Sequence, residues 1–248
     1  MAEQAIAVGA EIVRHARRPT LDTDSLKGEG DYVTAVDRDS ESAIRSFLQG
    51  ATPDIGILGE EGGGGQGERF WAVDPLDGTT NFLIGLPVVG VSVALIDDGA
   101  PVVGAVGAPF LDLSFSAARG LGARSGDDVL RVSTRDPGAA IVATGMPFRR
   151  KGRLDRYLPT LRRVFEESED IRRAGAAALD LAWVAAGVFD GFFELGLGIW
   201  DVAAGALLVQ EAGGVVTDWT GGPAYLGGDV LAGSPQTHAV LLRAAAEA

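Results

Sequence analysis

Arg69-Phe-Trp-Ala-Val-Asp-Pro-Leu-Asp-Gly-Thr-Thr-Asn-Phe82 gathers an unusual density of chemistry at one strand end. Phe70 to Val73 is apolar and partly β-branched, which predicts a short buried strand. Asp74 follows where that strand leaves the core, and Pro75, lacking an N–H, is expected to stop it. Asp77-Gly78 supplies a turn in which Gly78 can take a positive φ. Thr79-Thr80-Asn81 can then open a helix whose first N–H groups face back into the same corner. Two carboxylates, a hydroxyl and several amide donors suit a divalent cation beside a phosphate.

Composition narrows the remaining chemistry. The chain has 248 residues, enough for one large core or two modest ones. It contains no cysteine, so disulfides, zinc–thiolate sites and thiol nucleophiles are excluded. Its only histidines, His15 and His238, lie near opposite ends, which leaves little room for a Ser-His-Asp triad. The formal net charge of −13 argues against a nucleic-acid partner. Bound cations can still invert the local field and admit a phosphate. No stretch reaches the roughly 18 apolar residues of a membrane span, and the N-terminus lacks signal-peptide features. A cytoplasmic enzyme working with carboxylates, hydroxyls and a hard cation is the expectation.

Elsewhere the pattern predicts an amphipathic helix over 3–18, a polar loop from Pro19 to Asp31 and a strand at Tyr32–Val36 that delivers Asp37. A helix should run through Ile44, Phe47 and Leu48 to stop near Gly50. Ile55–Leu58 reads as a strand ending in Gly59-Glu60-Glu61, with the glycines of 62–67 as a hairpin loop. Residues 88–96 and 101–106 read as a hairpin of buried strands, followed by a strand at 113–117. Ser133-Thr-Arg-Asp-Pro-Gly138 is a break in pattern. It predicts an N-terminal α+β domain over 1–138 and a C-terminal α/β domain over 139–248. Beyond it strands and helices alternate, with a strand over 188–194 bulged at Gly191 and a helix from Asp201 to Glu211. Such a mixture indicates layered α and β rather than a bundle or a barrel.

Three strand ends thus deliver acids: Asp37, Glu60, and the pair Asp74 and Asp77; Asp201 follows Gly198-Ile-Trp200. Each alone has a local explanation. Asp201 and Asp37 could cap helices, Asp77-Gly78 could be an ordinary turn, and Glu60-Glu61 a solvated loop. Together they say more, because carboxylates converging at ~4 Å repel by roughly 4 kcal/mol per pair at an effective dielectric of 20. Such a cluster needs cations or raised pKa values, and Mg²⁺ fits a site of a few carboxylates completed by water and phosphate. The spacing Asp74-Pro-Leu-Asp77 is one residue too long for the Asp-x-Asp arrangement of phosphatases with an aspartyl nucleophile.

These residues resemble the inositol monophosphatase family of Mg²⁺-dependent, lithium-sensitive phosphatases. Trp71 to Phe82 is similar to the family's first signature, and Trp200-Asp-Val-Ala-Ala-Gly-Ala-Leu-Leu-Val-Gln-Glu-Ala-Gly-Gly214 to its second. Gly59-Glu60-Glu61 and Tyr32–Asp37 match two shorter elements in the family's order. The resemblance implies a layered αβαβα sandwich, an α+β fold, assembled as a homodimer. It implies that Glu60, Asp74 and the Leu76 carbonyl hold a first Mg²⁺, while Asp74, Asp77 and Asp201 hold a second. A weaker third ion would involve Glu60. Thr79, with Asp37 behind it, would hydrogen-bond the attacking water. Gly78 and Thr79 amides would receive phosphate oxygens, and Glu194 and Ala177 would contact the substrate. Lys27 matches a family loop lysine after a one-residue gap. The implied activity is hydrolysis of a phosphate monoester, with inositol 1-phosphate the first choice of substrate. Histidinol phosphate and fructose 1,6-bisphosphate are substrates of relatives, and some bacterial relatives bind other proteins.

Overall fold

In a computed structural model, residues 1–16, 26–28, 31–65 and 67–246 are described. The fold is set by which strands bury both faces. Seven strands, β3 (Gly56–Gly59), β4 (Arg69–Asp77), β5 (Gly90–Asp97), β6 (Ala100–Ala108), β7 (Leu113–Ala118), β8 (Gly122–Ser125) and β9 (Asp128–Val129), form one sheet in that order. A short pair, β1 (Leu26–Gly28) and β2 (Asp31–Tyr32), stands apart. Along β4 the side chains alternate between two cores. Trp71 and Val73 join the core under α1 (Ala2–His15) and α2 (Ala35–Ala51), while Phe70 and Ala72 join the core on the opposite face. A strand covered on both faces has no polar side, which is why this stretch reads as a continuous apolar run.

The second sheet has five strands in the order β11 (Asp170–Arg172), β10 (Ile141–Thr144), β12 (Gly191–Glu194), β14 (Val230–Gly233), β13 (Val215–Thr217). On β12, Phe192 points into the shared middle core and Phe193 into an outer core with Tyr157 and Leu241. That outer core lies under α4 (Leu154–Glu167) and α7 (Pro235–Ala246), which pack on each other. Between the two sheets lie α5 (Ala177–Ala185) and α6 (Ile199–Glu211). Helices so placed have no wet face, and every residue from Asp201 to Val209 is buried. The layering is therefore αβαβα, as the resemblance implied.

The alanines and the single glycine, Gly205, of α6 let it approach the first sheet closely. A Cβ added at Gly104 on β6 would lie 2.9 Å from Ala204 Cα. Backbone, unlike a side-chain tip, cannot rotate away. Gly104→Ala is expected to cost about 1–3 kcal/mol, since α6 must move or the sheet must bend. Urea denaturation of the purified variant checks this, and an unchanged midpoint would contradict the packing described.

Several boundaries differ from the sequence reading. β4 does not stop at Pro75 but continues to Asp77, with a register shift between Asp74 and Asp77 opposite Ser92 and Gly90 of β5. Proline fits there because a bulge removes the demand for a ladder donor. The glycines after Glu61 do not close a hairpin, because β3 and β4 are parallel. The chain instead doubles back along the outer edge of β3, where Gly59 pairs with Gly63. A Cβ on Gly64 would lie 1.9 Å from the Ile57 carbonyl oxygen, so only glycine can run that close. Residues 33–36 are not strand: Thr34 caps α2, and Asp37 arrives on its first turn. β12 begins at Gly191 without a bulge, and Asp190 before it is buried, accepting from the Ile141 amide and pairing with Arg135. Within the predicted loop 19–31, Leu26–Gly28 is strand; residues 17–25 and 29–30, and the side chain of Lys27, lie outside the described residues. The 90–108 hairpin and the strand at 113–118 are as expected, and at the start of α7 the Thr237 amide donates to the Ser234 hydroxyl.

Candidate active site

The bulge that carries β4 past Pro75 turns its two acids into one corner. Asp74, Asp77 and Asp201 are all buried, with one carboxylate oxygen from each lying within 4.8 Å of the others. Three local devices hold them. The Leu76 amide donates to Asp74 Oδ1 at 2.9 Å, and the Ala178 amide at the start of α5 donates to Asp77 Oδ2 at 2.8 Å. Asp201 is the third residue of α6 rather than its N-cap, and the Gly198 amide donates to its Oδ2 at 2.6 Å. The Ser92 hydroxyl, opposite Asp74 on β5, donates to the Trp200 carbonyl at 2.9 Å and so ties α6 to the sheet beside the cluster.

Asp74 Oδ2 is buried and no hydrogen-bond donor reaches it. Burial pushes Asp74 well above the ordinary carboxylate range, and the charges of Glu60, Asp77 and Asp201 push it further. Asp77 is raised to about 7, first by burial and then by Asp201. Glu194 is raised to about 8 by burial, with Asp201 and Asp77 adding to it. Gathered this closely, these carboxylates favour either bound protons or a bound cation.

The cluster opens on a cleft of ≈ 680 Å³ whose walls include Glu60, Leu76, Gly78, Thr79, Ala177 and Glu194. Every residue assigned to metal or substrate from the sequence thus borders one space. Gly78 has φ 86° and hands the chain to the short helix α3 (Thr79–Ile84), as its turn chemistry required. Asp37 does not line the cleft but lies behind Thr79, whose Oγ1 is 3.0 Å from Asp37 Oδ1 and 3.1 Å from the Leu76 carbonyl. Thr34 fixes Asp37 in turn, its hydroxyl donating to Oδ2 at 2.5 Å and its amide at 2.8 Å. Burial raises the Asp37 pKa, and the bonds from Thr34 and Thr79 oppose that rise.

Sequence reasoning missed the basic wall. Arg149, Arg150, Lys151 and Arg173 line the same cleft, and Arg149 Nη1 lies 3.8 Å from Glu60 Oε1. The run Arg149-Arg-Lys-Gly-Arg153 was the available signal, but nothing local places it opposite the acids.

The whole sequence, residues 1–248, matches the Inositol monophosphatase family. The chain belongs to that family. It is 47% identical to the inositol-1-monophosphatase of Mesorhizobium japonicum over 225 residues, covering 89% of this chain and 85% of the relative. It is also 44% identical to the Nus factor SuhB of Escherichia coli over 239 residues, covering 94% of this chain and 90% of the relative. The crystal structure of the extragenic suppressor protein suhB from Bartonella henselae superposes with a TM-score of 0.91 at 44% identity, over 98% of this chain and 96% of the other. Family members with both kinds of name share the fold, so the name alone does not choose an activity. No helix among the described residues is long and apolar enough to cross a membrane.

Proposed function

We propose that this chain is a Mg²⁺-dependent phosphate monoester hydrolase whose substrate is inositol 1-phosphate, cleaved to myo-inositol and phosphate. The observation that carries this reading is Asp74 Oδ2, buried among carboxylates with no donor in reach. An all-oxygen donor set with excess negative charge fits a hard divalent cation. Asp74, Asp77 and Asp201 would hold one ion, and Glu60, Asp74 and the Leu76 carbonyl another; Glu60 would share in a weaker third. Bound there, Mg²⁺ would stabilise charge on phosphoryl oxygens and lower the pKa of a coordinated water.

The chain's own groups supply orientation. By donating to Asp37, the Thr79 hydroxyl keeps its lone pairs available to a water in the cleft. Glu60 and Thr79 would orient that water for in-line attack. The amides of Gly78 and Thr79, at the open end of α3, would donate to phosphate oxygens. Glu194 and Ala177 would contact the alcohol portion of the substrate, across the cleft between segments 1–138 and 139–248. The working form is proposed to be a cytoplasmic homodimer.

A panel of phosphate esters tests this reading directly: inositol 1-phosphate, histidinol phosphate, fructose 1,6-bisphosphate and a nucleotide bisphosphate, each with and without Mg²⁺ and Li⁺. Phosphate release is expected to be fastest from inositol 1-phosphate, to require Mg²⁺ and to fall with Li⁺. The similarity to Nus factor SuhB supports a second reading, a regulatory role through a protein partner. Absence of release from every ester would favour that role over catalysis.

A further inference from the structure

We infer that Glu41 is a positioning residue for the metal site: it seats the Gly59–Gly62 turn so that Glu60 is presented to the cations. This rests on the metal-dependent reading above.

In sequence, Glu41 and Arg45 look like an ordinary helix pair four residues apart, worth a few tenths of a kcal/mol on a wet surface. In the fold Glu41 is only 2% exposed, and besides its bond from Arg45 its carboxylate accepts from two amides of the turn that bears Glu60. Its Oε2 accepts from the Glu61 amide at 2.8 Å, and its Oε1 from the Gly62 amide at 2.9 Å. Arg45 Nε donates to Oε1 at 2.6 Å, while its Nη atoms reach the carbonyls of Gly63 and Ile57. The Glu60 amide donates to the Val73 carbonyl at 3.2 Å, one residue before Asp74. Glu60 is thus pinned on one side to the strand of Asp74 and on the other, through the next two amides, to Glu41.

The close fit explains why the turn is built of glycine. A Cβ on Gly59 would lie 2.5 Å from the Glu41 carboxyl carbon, and one on Gly62 would lie 2.6 Å from its Oε1. A buried carboxylate that accepts several charge-assisted bonds fixes its partners firmly. Supporting groups of this kind, one step removed from a metal, typically change affinity about 10–100-fold when lost.

The test is Mn²⁺ binding, followed by electron paramagnetic resonance of the free ion, in the wild type, Glu41→Gln, Gly62→Ala and the double variant. Glutamine keeps the volume but sets an amino group against an N–H donor; alanine at 62 presses on the same carboxylate from the other side. Each single variant is expected to keep wild-type circular dichroism and weaken Mn²⁺ by about 10-fold or more. The double variant should be no worse than the weaker single, because both act through one contact. Thr217→Val, which removes a half-buried hydroxyl bonded to His238, is the control for stability loss alone and should bind Mn²⁺ normally. Unchanged affinity in folded Glu41→Gln and Gly62→Ala, or a loss no larger than the control's, overturns the positioning role while leaving the metal site intact. Failure of the wild type to bind Mn²⁺ overturns both.

Discussion

Asp74→Asn is expected to lower kcat by about 10³-fold or more at saturating Mg²⁺ and, without metal, to raise the melting temperature. Both effects have one cause. Asp74 is buried against Glu60, Asp77 and Asp201, and its Oδ2 has no donor. Asparagine has nearly the same shape, removes the charge that repels those neighbours and offers an N–H₂ donor. For a chain of this size each kcal/mol moves the melting temperature by about 2–4 °C, so relief of even one or two kcal/mol gives a rise of roughly 5 °C. Added Mg²⁺ should stabilise the wild type and leave the variant nearly unmoved. Melting curves in a chelator and in Mg²⁺, beside a phosphate-release assay, check all three points. A variant that is inactive but also less stable without metal would mean that Asp74 is held mainly by structural bonds.

The second large effect concerns pH. Asp74, Asp77 and Glu194 all have pKa values raised above the ordinary carboxylate range, with Asp77 near 7 and Glu194 near 8. In the folded, metal-free chain these groups hold protons that the unfolded chain releases near pH 4. Their stabilising share is therefore complete below about pH 4 and is lost as the pH rises to about 8. The loss is on the order of a few kcal/mol in total, because the groups are coupled and their shifts do not add. Mg²⁺ bound as proposed would displace the protons of Asp74 and Asp77, so its stabilisation should be much larger at pH 8 than at pH 5. Melting temperatures measured across that range with and without Mg²⁺ decide it. An equal Mg²⁺ effect at both pH values would contradict a metal site built on these carboxylates.

How much of this was legible depended on the distance over which each feature is determined. The layered fold was legible because strands buried on both faces write themselves as unbroken apolar runs, as Phe70–Val73 does. The acids were legible as types and positions, since strand ends and turns are local. Their convergence was not: Asp201 meets Asp74 only because Ser92 and the small residues of α6 let that helix lie against the sheet. The glycine run misled because its length suits a hairpin, and only the parallel register of β3 and β4 shows that it runs back along an edge. Pro75 misled likewise, since a bulge tolerates what a regular ladder forbids. Glu41 was invisible because a helix pair with Arg45 has the same spelling whether it faces water or supports a turn.

One titration bears most directly on the account. Mn²⁺ is added to metal-free wild type and to Asp74→Asn, and the bound ions are counted from the loss of the free-ion resonance. Because Asp74 is assigned to both of the principal ions, the wild type is expected to bind about two per chain and the variant to lose most of that capacity. Undiminished stoichiometry and affinity in Asp74→Asn would contradict the assignment of this cluster as the metal centre.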